Sequence, residues 1–254
     1  MRVAVAGGTG LVGREVVRVL EARGHEPVVL ARSVGVDLVS GAGLSTTLAG
    51  ADVVVDVSNT VTMSRRKAVA FFAAAARNLG RAAADAGVGH VVVLSIVGID
   101  RVDAGYYAGK RVQEDVVLSG PVPATVLRAT QFHEFAGQLL ARMRGPVALV
   151  PRMPVQPVAA REVAAALVDL AVAAPVGRAP ELAGPQRLEL VDLARQVRHA
   201  QRSRRLVVPI RVPGSLGRAL AAGGLIPTGE GLRGEVTFAQ WLRETYPATT
   251  DGRP

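Results

Sequence analysis

The stretch MRVAVAGGTGLVGREVV, residues 1–17, decides the fold. Val3–Ala6 is a short apolar run, a glycine-dense turn follows, and a periodic segment running to Gly24 reads as a helix. Gly7, Gly10 and Gly13 stand at G-x-x-G-x-x-G spacing, and Gly8, Gly10 and Gly13 also satisfy G-x-G-x-x-G. In a dinucleotide-binding turn one glycine lets the chain reverse tightly, one lets backbone approach the pyrophosphate, and one lets helix pack close to strand. The free N–H groups of the first helical turn and the positive end of the helix dipole then hold the anion. Gly7, Thr9, Gly10, Leu11, Val12 and Gly13 are therefore expected to bind a nucleotide cofactor.

The next strand, PVVLA at 27–31, ends in Arg32 and Ser33. An NAD site places an acid here, about twenty residues past the glycines, to accept from the ribose 2′-hydroxyl. A guanidinium instead binds a 2′-phosphate through two parallel charge-assisted bonds, and Ser33 adds a hydroxyl. This predicts NADP(H) in preference to NAD(H). The other reading of Arg32 is a solvated cation, since the chain has 28 arginines.

With 254 residues the chain can bury one large core, or one core with a small annex. No run of eighteen apolar residues exists, and glycines interrupt the N-terminal apolar stretch. We expect no membrane partner, no signal peptide and a cytoplasmic location. There is no cysteine, and the four histidines lack ligand spacing, so no metal is expected. The net charge of +9 raises the question of nucleic acid, but the arginines form no long run and aromatics are few. A basic surface without a nucleic-acid role is expected.

Strand and helix signals alternate, which predicts a Rossmann-type α/β fold, a doubly wound parallel sheet with helices on both faces. Val36–Leu38 reads as a short third strand, DVVVDV at 52–57 as a buried strand ending in Ser58 and Asn59, and an alanine-rich helix runs from about Arg65 to Ala86. HVVVLS at 90–95 and ATVL at 124–127 read as the next two strands. Beyond Phe132, prolines break the pattern, with helices expected near 161–173, 191–201 and 237–244 and a frayed end from Pro247. The organisation predicted is a nucleotide-binding core over 1–135 and a smaller substrate-pocket region over 136–254, packed as one globular unit.

Three tyrosines and two lysines serve the whole chain, yet Tyr106, Tyr107 and Lys110 fall within five positions. Tyr-x-x-x-Lys puts phenol and ammonium one helical turn apart on the same face. Moving a phenol from its ordinary pKa of about 10 to about 7 needs ~4 kcal/mol. One positive charge at about 4 Å supplies a similar amount at an effective dielectric of about 20. The pair is thus suited to general acid catalysis, and the bland alternative is an ordinary amphipathic helix start.

GGTGLVG at 7–13, the strand running into Ser58-Asn59, HVVVLS at 90–95, YYAGK at 106–110, LRATQFHEF at 127–135 and VQPVAAREVA at 155–164 together resemble the short-chain dehydrogenase/reductase superfamily. More narrowly, they look like its atypical, NmrA-like branch of NAD(P)-binding proteins, some of which bind nucleotide without turnover. The resemblance implies that Tyr106 protonates a carbonyl oxygen during hydride transfer. It implies that Lys110 holds the nicotinamide ribose and depresses the Tyr106 pKa, and that Ser58 and Asn59 line the cofactor groove. Ser95 would donate to the carbonyl, although the superfamily places that hydroxyl one or two residues later, where this chain has Ile96 and Val97. The alternative is that Ser95 only satisfies the strand end.

Thr130, Gln131 and Phe132 follow the strand at 124–127, the crevice edge where ligands sit in open α/β sheets. Their family counterparts lie beside the nicotinamide, while Phe132 reads equally as core. The region beyond 136 is rich in Ala, Val and Leu and suggests an apolar ligand. Two functions follow: an NADPH-dependent reductase of a small carbonyl or quinone-like substrate, monomeric or homodimeric, or an NmrA-like nucleotide sensor without turnover.

Overall fold

The computed structural model describes residues 1–247; the expected frayed end beyond Pro247 lies outside the described residues. The N-terminal half runs β1 (Arg2–Ala6), α1 (Leu11–Ala22), β2 (Glu26–Leu30), α2 (Leu44–Leu48), β3 (Val53–Asp56), α3 (Arg65–Asp85), β4 (His90–Ile96), α4 (Gly105–Leu118) and β5 (Ala124–Ala129). The rest runs α5 (Phe135–Arg142), β6 (Val147–Pro151), β7 (Pro154–Val155), α6 (Ala160–Val172), β8 (Gly177–Arg178), β9 (Leu182–Ala183), β10 (Leu188–Glu189), α7 (Leu190–Ala200), β11 (Leu206–Ile210), α8 (Gly214–Ala221), β12 (Leu232–Arg233) and α9 (Phe238–Thr245).

Parallel pairing builds one large sheet in the order β12-β9-β5-β4-β3-β1-β2, with β8 beside β5. The strands are near-continuous apolar runs because both faces are covered. Val3, Val5, Val55 and Val92 pack against α1 and α6, whereas Ala4, Val54, Val91 and Val93 face the layer that holds α2 and α3. The sheet is a Rossmann-type doubly wound one. From β1 the chain goes first to β2 on one side and later to β3 on the other, so the switch point lies at Ala6, paired with both Leu30 and Asp56.

Val36–Leu38 is not a strand. Arg32–Val34 forms a single 3₁₀ turn, Gly35 takes φ +82°, and Asp37 Oδ1 accepts from the Val39 and Ser40 amides, so a local turn replaces the expected pairing. The division at residue 135 is not a clean one. α6 returns to pack on the main sheet, and β8, β9 and β12 extend it. The remaining C-terminal elements gather a separate core around Leu140, Val150, Leu193, Phe238 and Trp241.

Candidate active site

The glycine turn is shaped by close backbone approach. Gly7 has φ +79°, and a Cβ there would lie 2.9 Å from Ser58 Cα. A Cβ on Gly13 would lie 2.1 Å from Gly7 O, so the start of α1 can rest on the β1 turn only as glycine. Thr9 and Gly10 are exposed, Leu11 is half-buried and Val12 buried, which leaves the N-terminus of α1 open at the switch point. Arg32 and Ser33 are exposed at the end of β2, and the Arg32 side chain has no hydrogen bond or ion pair among the described residues.

On the other side of the switch point the chain leaves β3 through Asp56, Val57, Ser58 and Asn59. Asp56 is buried and accepts from the Ser58 amide at 2.8 Å and from Gln113 Nε2 at 2.7 Å. Ser58 Oγ is buried without a partner, beside the turn that Gly7 forms. Asn59 Oδ1 accepts from the Tyr106 hydroxyl at 2.7 Å. A nucleotide fits these residues: a side-chain-free cradle, an open helix N-terminus, an unpartnered buried hydroxyl and a free guanidinium.

α4 carries Tyr106 and Lys110 on one face, as the spacing predicts. Both rest on Phe72 of α3, the phenol edge-on with ring centroids 5.7 Å apart and the ammonium 4.8 Å above the ring. This contact is possible because Gly105 and Gly109 face α3: a Cβ on Gly109 would lie 2.7 Å from Phe72 Cδ2 and 2.8 Å from Ala68 C. Lys110 is buried, and its Nζ donates to Leu94 O at 2.7 Å and to Gln113 Oε1 at 2.5 Å. Burial lowers its pKa to about 8, against the opposing pull of Asp56 and Glu114.

The expectation that Lys110 depresses the Tyr106 pKa is corrected. Burial pushes the phenol up, Tyr107 adds to this, and Arg142 alone among the identified charges pulls the other way. The ammonium is turned to Leu94 O and Gln113 instead. Tyr107 is likewise pushed up by burial, to about 12.

Ser95 as a free carbonyl donor is also corrected. Its side chain shares the face of Val91 and Val93, and its hydroxyl donates to Glu114 Oε1 at 2.5 Å. Glu114, buried on α4, also accepts from Arg128 Nε at 2.8 Å, Arg128 Nη2 at 2.7 Å, and Arg178. Burial alone would raise the Glu114 carboxyl, but these hydrogen bonds outweigh it and hold the pKa below the usual range.

Among the residues after β5, Thr130 Oγ1 donates to Gln156 O at 2.6 Å and Phe132 packs against the main core, so both hold the fold. Gln131 keeps a buried Oε1 without a partner. Sequence reasoning missed Phe72, Asp56 and Gln113. The signal for Asp56 was its place in the apolar run VVVDV, since a buried carboxylate requires partners. A surface cleft of about 500 Å³ between the C-terminal halves of α3 and α4 contains none of these residues.

No family model matches the chain. It is 34% identical over 229 residues to (4-alkanoyl-5-oxo-2,5-dihydrofuran-3-yl)methyl phosphate reductase of Streptomyces griseus, covering 82% of this chain and 75% of that protein. Its fold matches a short-chain dehydrogenase/reductase superfamily protein of Agrobacterium tumefaciens solved with bound NAD, at a TM-score of 0.70 and 18% identity, over 97% and 96% of the two chains. The chain belongs to the short-chain dehydrogenase/reductase superfamily. The NADPH-dependent quinone oxidoreductase QOR2 of Escherichia coli has the same fold, at a TM-score of 0.67 and 17% identity, over 96% and 99% of the two chains. Superfamily membership supports a nicotinamide nucleotide as the cofactor class. Among the described residues no helix is long and apolar enough to cross a membrane, and no group of three or more His, Cys, Asp or Glu is gathered for a metal.

Proposed function

We propose that the protein is an NADPH-dependent reductase of a small carbonyl or quinone-like substrate, with Tyr106 as proton donor and Lys110 as its cationic partner. The observation that carries this reading is the shared seating of Tyr106 and Lys110 on Phe72, one turn apart, with the Tyr106 hydroxyl on Asn59, which follows the Ser58 that abuts the Gly7 turn. The bound cofactor supplies the hydride. The chain supplies the rest: the N-terminus of α1 and the Gly7–Gly13 cradle hold the pyrophosphate, Ser58 Oγ donates into the groove, and Arg32 with Ser33 holds the 2′-phosphate. The Tyr106 hydroxyl, which donates to Asn59 Oδ1, turns to the substrate oxygen and gives up its proton there. Lys110, whose Nζ has one N–H beyond those given to Leu94 O and Gln113 Oε1, would hold the ribose hydroxyls. Within the superfamily we place it in the NmrA-like branch, on the motifs at 7–13, 106–110, 127–135 and 155–164.

The Streptomyces griseus relative acts on a molecule with oxo and alkanoyl groups and a phosphate ester. In this chain Arg142, exposed at the end of α5, acts electrostatically on the Tyr106 phenol and has no ion pair among the described residues. It is suited to an anionic group on the substrate, which refines the apolar ligand expected from composition.

A second reading is favoured by two observations, the raised phenol pKa and the engagement of Ser95 with Glu114: a nucleotide sensor without turnover. NADPH consumption by the wild-type protein, measured across carbonyl and quinone compounds with and without a phosphate ester, separates the two. The reductase reading expects consumption, fastest with a phosphorylated carbonyl. NADPH binding without consumption of any compound would establish the sensor.

A further inference from the structure

The positive charge of this chain is segregated. Between Glu134 and Glu162, and again between Asp192 and Glu230, the sequence has eleven arginines and not one carboxylate; the rest of the chain has 19 cationic and 21 acidic side chains. These two segments meet in space, because β6 and β11 pair as a separate two-stranded parallel sheet.

Within that sheet the register sets Leu206 beside Val147, Val208 beside Leu149 and Ile210 beside Pro151. Ala148, Val150 and Val207 point inward to the C-terminal core. The six residues of the other face are therefore all aliphatic, where a half-buried sheet ordinarily turns polar side chains to water. Val147 is 41% exposed, Leu149 50% and Leu206 57%. Arg144 and Arg204 flank one end of the pair and Arg152 and Arg211 the other. All four are exposed, and none forms an ion pair among the described residues.

We propose that the β6–β11 face is a docking surface for an anionic phospholipid bilayer, a peripheral contact that reverses the expectation of no membrane partner, which rested on the lack of a spanning apolar run. Aliphatic side chains bounded by cations match the boundary between acyl chains and acidic headgroups, with arginine stems lying along the apolar layer and guanidiniums reaching phosphate. A second copy of the chain would bring the same uncompensated arginines against these and be repelled. Nucleic acid is recognised through hydrogen-bonding side chains and stacking aromatics, and the face between the arginines offers only hydrocarbon. An acidic protein partner would meet no aromatic anchor there. A bilayer requires no directional partner, only apolar area and positive charge.

The test is co-sedimentation of the whole protein with vesicles of phosphatidylcholine alone and of phosphatidylcholine mixed with phosphatidylglycerol, at low and high salt. The protein is expected to sediment with the mixed vesicles at low salt and to be released by high salt and by the neutral lipid. Near an anionic leaflet each arginine contributes about fivefold in affinity, so Arg204→Gln with Arg211→Gln is expected to weaken binding by roughly 25-fold. Leu149→Ser with Leu206→Ser keeps every charge and is expected to weaken it too; both pairs of substitutions lie on exposed positions, and thermal melts check that they fold. No sedimentation with the anionic vesicles overturns the proposal. So does binding that the leucine pair leaves unchanged while duplex DNA competes equally, which would identify a general polyanion surface. If the variants fail to fold, the lipid and salt dependence of the wild type decides alone.

Discussion

In the proposed reading, Arg32 sets which cofactor binds and Lys110 sets the pH at which it does. Arg32 stands alone at the end of β2, where an acid would repel a 2′-phosphate. Losing an arginine–phosphate pair costs at least ~1.5 kcal/mol, so wild-type protein should bind NADPH at least about tenfold more tightly than NADH. Titration of both cofactors against wild type and Arg32→Ala checks this, and equal wild-type affinities would refute the role of Arg32. Lys110 is a fully buried cation whose pKa falls to about 8, so its charge is present below that pH and lost above it. Turnover and NADPH affinity should therefore decline as pH rises through about 8. Asp56→Asn removes a negative charge that supports the ammonium, so the decline should move to lower pH; a profile with no alkaline limb near 8 would contradict the assignment. That Tyr106 and Lys110 share one face of α4 was legible, because both residue types are scarce and stand four positions apart. What Lys110 touches was not, because Gln113 and Asp56 reach it from α4 and β3 and only the fold brings them together.

At the scale of elements, the site depends on how closely α4 approaches α3. Gly109 is the contact point, and a methyl group there would meet Phe72 and the Ala68 backbone inside 3.0 Å. Gly109→Ala should destabilise the protein by roughly 1–3 kcal/mol through overpacking. It should also lower turnover more than NADPH affinity, because Phe72 carries both Tyr106 and Lys110 while the glycine cradle lies on β1 and α1. A denaturant melt with kinetics on the same variant reads both effects, and a variant of wild-type stability would contradict the packing. Periodicity located α1, α3, α6, α7 and α9 to within a few residues, since each has an apolar stripe against one core. It missed α2, α5 and α8 and misread Val36–Leu38. A short apolar stretch has no period to read, and there the Asp37 side chain and Gly35 favour a turn over pairing.

Across the whole molecule, one charge network centred on the buried Glu114 ties the sheet to its C-terminal extension. Glu114 on α4 joins Ser95 on β4, Arg128 on β5 and Arg178 on β8, and Arg128 continues to Asp100 at 2.5 Å. Its pKa is held down in the folded state, so the stabilisation is present above the ordinary carboxylate pKa and is lost as pH falls through the folded value. Glu114→Gln leaves Arg128 partly uncompensated and should cost on the order of 3 kcal/mol. That corresponds to a Tm lower by roughly 6–12 °C, and an unchanged Tm would show the network to be neutral. None of this was visible in the sequence, where Ser95 read as a candidate carbonyl donor or as a strand-end hydroxyl, not as a partner of Glu114. The central claim is that this molecule performs reduction with Tyr106 as the acid, and the measurement that tests it most directly is Tyr106→Phe. The substitution keeps the ring on Phe72 and removes only the hydroxyl. NADPH affinity should stay close to wild type while turnover falls by roughly 10²–10⁴, with Tyr107→Phe nearly unaffected. Full turnover in Tyr106→Phe would contradict the account.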